Sequence, residues 1–506
     1  MIQAQAYLDR ARLASLLATA AARARAERRS VLASLRMRAP GLDPLDTLEA
    51  VVRDSASDPL LATQVAAGRM YWTRPRDDFT LVGLGSVATF APTGEDRFAA
   101  VDRAWTALRD GALMDDATGD APGIDPVLMG GFGFEAETER SETWRGFPDA
   151  HLIVPRVLLA ADGSDCWLTV SVMVGMDGEP DTAPEDLRRL CQLVVAALSD
   201  GAVTSRPVEP PDQDIAFTSP VDASSWQATA SAAVADIRAG ALQKVVLARE
   251  VHAAAPRDVD VFAMLRHLRA AHRDCFVFGY WRGDRAFVGA SPERLVRVDG
   301  REVRASSLAG SATRGATPAQ DAALAAELLA SGKNRAEHSA VRDALRVGLA
   351  ELCDDVEAAE VPTVLTLPHL HHLHTAVRAT LRPGYSLLDV VARLHPTPAV
   401  GGTPRDAALR FIRDREQLDR GWYAAPIGWI GRRGGDVAVA LRSAVVAGRE
   451  AMLFAGCGIV AESVPALEFA ESLLKLRPMQ AALAAALRAT PSDRAAAMSA
   501  GVERVS

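Results

Sequence analysis

Two apolar, strand-prone runs, Phe276-Val-Phe-Gly-Tyr-Trp281 and Ala286-Phe-Val-Gly289, are joined by a short link that begins Arg-Gly-Asp. A crossover between parallel strands needs about a dozen residues, so these runs pair as an antiparallel hairpin. Earlier segments also read as sheet: Phe79 to Gly85, Pro126 to Phe134, Leu152 to Pro155 and Cys166 to Val174, the first two with glycines that permit bends. Helical periodicity at Leu187–Leu198, Trp226–Arg238, Val261–Ala271, Gln320–Leu329, Ala336–Cys353 and Ala466–Leu476 interleaves with strands over 244–250, 275–281, 285–289 and 436–446. Antiparallel hairpins beside many helices predict an α+β fold.

At 506 residues the chain is long enough for two cores or one large two-lobed body. The Pro- and acid-rich stretch 206–214 separates a first part from a motif-dense second part. Residues 6–38, rich in Ala, Arg and Leu but interrupted by Asp9 and Glu27, predict an amphipathic surface helix rather than a transit peptide. From about 481 the alanine-rich tail predicts a helix ending in a loose, polar terminus. A net charge of -8 without a Lys/Arg-rich block argues against nucleic acid or an anionic membrane as the main partner, while a local basic pocket for a small anion stays possible. The 5 cysteines, at 166, 191, 275, 353 and 457, form no CxxC pair, so neither a disulfide framework nor a thiolate metal site is expected. A reducing cytoplasm fits, and no stretch is long and apolar enough to cross a bilayer.

Lys244 stands in the apolar run Leu242 to Glu250. In a strand it shares a face with Val246 and Ala248. Such a lysine is either a solvated edge residue that discourages aggregation or a desolvated base. Ser291-Pro-Glu293 places a carboxylate after a turn, where it is solvated or, in apolar surroundings, a general acid. The small-residue loop Ser307 to Gly315, with Ala309, Gly310 and Ser311, is either a turn or an amide cradle for an anion. Ser331 reads as a cap for a helix in which Lys333 and Glu337 form an exposed i,i+4 pair, or in which Glu337 and His338 face a cleft. Glu468, Glu471 and Lys475 share one helical face, and two carboxylates crowded there need a cation. Oxygen donors without Cys or His point to Mg²⁺ rather than zinc. Arg442 is placed on a strand face with Ala438 and Ala440, as a carboxylate clamp or a strand-end surface residue. In His369-Leu-His-His-Leu-His374, a strand would put His369 and His371 opposite His372 and His374, so the four cannot hold one metal, though one can face a substrate.

Together these segments resemble the chorismate-binding enzyme family over about residues 216–480, and the N-terminal part resembles its variable subdomain more weakly. The resemblance lies in Gln243 to Arg249, Ser291-Pro292-Glu293, Ser331 to His338, Gly421 to Gly428 and Gly456 to Lys475. It implies a two-lobed α+β body like anthranilate synthase component I, with large antiparallel sheets flanked by helices. Residues 1–210 are then a variable subdomain of that body, 211–485 the catalytic region and 486–506 a loose tail. Lys244 resembles the water-activating lysine of isochorismate and salicylate synthases. Ala309 stands where aminodeoxychorismate synthases carry a nucleophilic lysine, and Leu394 to Gly402 resembles the isochorismate synthase signature. Ala425, Cys457, Val464 and Phe469 depart from residues common in the family.

The implied reaction moves a hydroxyl on the chorismate ring: Lys244 deprotonates water attacking C2, and Glu293 protonates the departing C4 hydroxyl. The resemblance gives Mg²⁺ to Glu337 and Glu471, with Glu468 in an outer role. It gives substrate binding to the Ala309-Gly310-Ser311 loop, Tyr423, Arg442, Gly456, Gly458 and Lys475, with His372 beside the ring. A salicylate synthase, which also eliminates pyruvate, is the first alternative. A catalytically silent homologue is the second, and the joint presence of Lys244, Glu293, Glu337 and Glu471 argues against it. Menaquinone, a siderophore and salicylate are the destinations the resemblance allows for the product. No nucleic acid or membrane partner is expected, and the chain is expected to be a monomer or weak homodimer.

Overall fold

The strands Phe276–Arg282 and Arg285–Ser291 form the expected hairpin, in register from Phe276 opposite Ser291 to Arg282 opposite Arg285. Gly283 takes a φ of 58° in its turn, a left-handed conformation that costs glycine no Cβ clash. Side chains alternate as period two demands. Phe276, Phe278 and Tyr280 enter an aromatic core between two sheets, whereas Val277 and Trp281 face a second core beneath helices.

A computed structural model describes residues 10–39, 43–116, 125–136, 140–199 and 215–488. Among these, the hairpin is central to a 13-stranded sheet. On one side of it lie Ser443–Ala447, Glu450–Ile459, Lys244–Ala254 and Ala216–Thr218. On the other lie Arg69–Arg74, Phe79–Leu84, Val157–Asp162, Asp165–Val174, Val31–Ala39 and Leu113–Asp116, so strands from both ends of the sequence share one sheet. Only the pairing of Val31–Ala39 with Leu113–Asp116 is parallel among the described strand pairs. A 10-stranded sheet packs against the first and includes Leu370–Leu381, Glu302–Thr313, Arg294–Asp299, Gly434–Val439 and Pro426–Ile430. Trp144, Phe147, Phe287, Trp422 and Phe454 fill the space between the sheets. Helices Arg10–Glu27, Val261–Ala271 and Pro465–Arg488 contribute to the core on the outer face of the larger sheet.

The chain crosses from one sheet to the other at Pro292-Glu293 and again between Val439 and Ser443. The crossings run side by side. Ser291 Oγ donates to the Val439 carbonyl at 2.5 Å, Val439 N–H to the Glu293 carbonyl at 3.1 Å, and Ala290 N–H to the Arg442 carbonyl at 3.0 Å.

Three expectations are corrected. The predicted strand over 436–446 is two strands in different sheets, because the chain turns at Arg442, whose φ is 48°. Small residues at 438 and 440 signalled a continuous face, but the closeness of the two sheets decides the conformation. Within 6–38 the helix spans Arg10–Glu27, with 6–9 outside the described residues, and Val31–Ala39 is a buried strand. Sheet pairing with Asp165–Val174 there overrides the helical composition. The helix predicted to reach Cys353 ends at Ala350, and Cys353 opens a strand. The stretch 206–214 and residues 489–506 lie outside the described residues; the helix Pro465–Arg488 covers the start of the alanine-rich tail. No described helix is long and apolar enough to cross a membrane.

Candidate active site

Lys244 begins strand Lys244–Ala254, which pairs with Glu450–Ile459 so that Val246 faces Gly458 and Ala248 faces Gly456. Glycine at these two places makes room: a Cβ at 458 would lie 2.8 Å from both Lys244 Cε and Glu337 Oε1, and one at 456 would lie 3.2 Å from the Tyr423 hydroxyl. Lys244 is 3% exposed, which excludes the solvated edge reading. Its Nζ donates to Glu337 Oε1 at 2.8 Å. Glu337 is delivered by helix Gly332–Ala350, whose start is capped by Ser331 accepting from Asn334 N–H. The i,i+4 pair of Lys333 with Glu337 does not form: Lys333 reaches Glu468 at 3.1 Å instead.

The two sheet crossings supply the opposite wall. Glu293 is 4% exposed, and burial pushes its pKa up to about 7 despite the opposing charges of Lys244, Arg442 and Lys475. At neutral pH a large share of this carboxyl is protonated. Arg442 is turned toward the cavity by its left-handed backbone, and burial holds its pKa below the usual guanidinium value. One of its amino groups lies 3.5 Å from His372 Nε2. His372 Nδ1 is 3.2 Å from the Gly310 carbonyl and 3.1 Å from Ser311 Oγ. Burial pushes His372 down to about 3, so the ring is neutral. A proton on Nδ1 satisfies the carbonyl and leaves Nε2 as an acceptor facing Arg442. The stretch 307–315, expected to be a loop, is mostly the end of strand Glu302–Thr313, because pairing with Leu370–Leu381 overrides the turn preference of its small residues. Gly310, at φ 76°, breaks the register between Ala309 and Ser311 and so turns its carbonyl toward the histidine.

Helix Pro465–Arg488 closes the site. Glu471 pairs with Lys475 at 2.7 Å, and Lys475 Nζ donates to the Gly456 carbonyl at 3.0 Å. Burial raises the pKa of Glu471, but Lys475 outweighs it and leaves the carboxylate ionised. Glu468 accepts from Ser463 Oγ at 2.7 Å and from Lys333.

Lys244, Glu293, Ala309, Gly310, Ser311, Glu337, His372, Tyr423, Arg442, Gly456, Gly458, Glu468, Glu471 and Lys475 all line one cavity. His338, the other cleft candidate, is buried elsewhere, with Nε2 2.8 Å from Thr375 Oγ1. The histidine run diverges: His371 pairs with Asp321, His369 precedes the strand and lies against His272, and only His372 of the four reaches the cavity. Sequence reasoning missed Lys333 and Arg420, which also line the cavity. Arg420 sits beside the Gly421-Trp422-Tyr423 segment, but its i,i+4 spacing from Glu416 reads as an ordinary exposed pair.

Among the described residues no group of three or more His, Cys, Asp or Glu is already disposed to hold a metal ion. The oxygen donors of Glu337, Glu468 and Glu471 nonetheless suit Mg²⁺, which usually takes one or two protein carboxylates and completes its shell with substrate oxygens and water. Each of these carboxylates lies against a lysine, so an Mg²⁺ ion bound there would take over the place of the ammonium on the carboxylates it holds.

Residues 18–484 match the family described as chorismate binding enzyme. The chain is 36% identical to the salicylate biosynthesis isochorismate synthase of Pseudomonas aeruginosa, over 88% of this chain and 89% of that relative. It is 34% identical to the isochorismate synthase MenF of Bacillus subtilis, over 83% of this chain and 89% of the relative. In fold it matches the menaquinone-specific isochorismate synthase MenF of Escherichia coli, with a TM-score of 0.71 and 24% identity, covering 93% of this chain and 99% of that one. It also matches anthranilate synthase component I of Streptococcus pneumoniae, with a TM-score of 0.65 and 21% identity, covering 80% of this chain and 92% of that one. The expected two-lobed α+β architecture is thus shown.

Proposed function

The chain belongs to the chorismate-binding enzyme family, and we propose that it is an isochorismate synthase, an isomerase that converts chorismate to isochorismate. The observation that carries this reading is a buried lysine, Lys244, in the same cavity as a carboxyl that holds its proton near neutral pH, Glu293. In its neutral form, released from the ion pair with Glu337, Lys244 takes a proton from the water that attacks C2, and Glu293 gives one to the hydroxyl leaving C4, so the ring gains and loses one oxygen in a single allylic exchange. Ala309 puts a methyl group in the cavity wall, and no amine there competes with water. Arg442, Lys475 and the Tyr423 hydroxyl bind the two carboxylates of the substrate, and neutral His372 orients Arg442. Gly456 and Gly458 let the substrate approach the backbone, and the Ala309-Gly310-Ser311 bulge borders the ring.

Glu337 and Glu471 would hold Mg²⁺, with Glu468 acting through water, and the ion would supply positive charge to bind the ring carboxylate. A role in menaquinone or siderophore synthesis fits the names of the relatives, and a cytoplasmic location is part of the same proposal. The test is incubation with chorismate and Mg²⁺ followed by chromatography. Isochorismate in equilibrium with chorismate, without stoichiometric pyruvate, is the expected result. Anthranilate formed from ammonium salts overturns the reading, and equal yields of salicylate and pyruvate replace it with a salicylate synthase.

A further inference from the structure

Strand Lys244–Ala254 is only partly covered along its outer side. Gly402–Thr403 pairs with it at Lys244 and Val245, and the Gly401 carbonyl takes the Val246 N–H at 2.9 Å. Ala216–Thr218 pairs with it again from His252 onward. Between these patches the outward backbone groups need other partners, because buried amides and carbonyls left unpaired are costly. The Glu250 carbonyl accepts from Ser219 Oγ at 3.3 Å, whereas Val246 and Ala248 find their partners in one ion pair. Glu416 Oε2 accepts the Ala248 N–H at 2.8 Å, and Arg420 donates to the Val246 carbonyl at 2.7 Å. Arg420 also donates to the Val400 carbonyl at 2.8 Å and grips Glu416 through two bonds of 2.6 Å. The two side chains are 3% and 2% exposed, and the guanidinium lies over the Phe134 ring at 4.5 Å.

Although Arg420 lines the cavity, its donors are turned to Glu416 and to backbone, leaving little for a substrate. We propose that Glu416 and Arg420 are a positioning pair that stands in for a missing strand. They hold residues 246–248, and through them Lys244, in place against the loop carrying Ala399 and Val400. The proposal rests on Lys244 being the base. Stability alone does not account for the pair, since apolar residues of similar volume commonly serve a core as well as a buried ion pair does. Arginine's planar fork reaches a carboxylate and two carbonyls at once, which a lysine ammonium cannot match.

The test carries Glu416→Met/Arg420→Met, and separately Arg420→Lys, through wild-type and Lys244→Ala backgrounds, with thermal melts, kcat and KM for chorismate. In the wild-type background kcat is expected to fall between about tenfold and 10²-fold, the cost of a small misplacement of a reacting group, with a cooperative melt retained. In the Lys244→Ala background the same changes are expected to lower the residual rate less than about twofold, because what they position is gone. Equal losses in both backgrounds, or folded variants with wild-type kcat, overturn the proposal while leaving the base assignment intact. Wild-type turnover of Lys244→Ala itself overturns both. If the double variant does not melt cooperatively, Arg420→Lys, which keeps a cation beside Glu416, decides.

Discussion

Replacing Glu293 by glutamine separates two consequences of one buried carboxyl. Its pKa rises from 4.5 to about 7 because water is removed from it, so the ionised form is worse off in the folded than in the unfolded chain. At about 1.4 kcal/mol per pKa unit, the penalty approaches about 3 kcal/mol. The unfolded carboxyl ionises near 4.5 and the folded one near 7. Between those values the folded state binds more protons, and its stability falls as pH rises; above about 7 the penalty is complete, and well below 4.5 it is absent. Glutamine has nearly the same volume and no charge to desolvate. Glu293→Gln should therefore exceed the parent in stability by about 3 kcal/mol at pH 8 and by only about 1 kcal/mol at pH 5. It should also lose about 10²- to 10⁴-fold in turnover, since no proton donor remains. Chemical denaturation of both proteins at the two pH values, without metal or substrate, measures the gap, and a chorismate assay measures the loss. A gap that does not grow with pH refutes the burial argument; a variant that turns over normally refutes the acid role. For the parent, kcat/KM should decline above about pH 7 as Glu293 ionises.

Lys244→Ala is expected to lower kcat by about 10²- to 10⁴-fold while the melting temperature and chorismate binding stay near wild type, and near-normal turnover with lower solubility would return Lys244 to an anti-aggregation role. EDTA should silence the enzyme and Mg²⁺ restore it; Glu337→Ala and Glu471→Ala should each remove that restoration, with Glu468→Ala intermediate, whereas full activity of Glu471→Ala in EDTA discards the metal assignment. Gly458→Ala places a methyl 2.8 Å from Lys244 Cε and Glu337 Oε1, so turnover should fall about tenfold or more with a melt close to the parent's. Unchanged kinetics would show that this glycine clears no space the reaction uses.

Local signals carried much of the architecture into the sequence. The Phe276–Ser291 hairpin, the Ser331 cap and the shared face of Glu468, Glu471 and Lys475 follow from periodicity and turn chemistry, and each stands in the structure. Arg442 shows where local reading stops. Its neighbours specify a strand, but its conformation depends on a second sheet whose strands lie far away in sequence. The buried strand Val31–Ala39 was hidden for the same reason, since Arg36 and Arg38 mimic a helical polar face until pairing with residues 166–174 is known. Partner choice is equally nonlocal: Lys333 selects Glu468 over the glutamate one helical turn away, and Glu416 and Arg420 become a core feature only because an incomplete strand lies beside them.

The two sheet crossings make Glu293 and Arg442 parts of one rigid bracket. Their backbones are bolted together by the Ser291, Val439 and Ala290 hydrogen bonds, while Lys244 belongs to a strand on the far side of the cavity. Any rocking of one sheet over the other therefore moves the proton donor and the anion clamp as a unit. The spacing between them is preserved, because the crossings are rooted in the sheet that carries Lys244 as well as in its partner and bend together. A mutation that alters the packing of Phe454 between the sheets should thus act on the seating of the substrate through Tyr423, whose ring stacks on it at 5.4 Å, while the donor and the clamp keep their spacing.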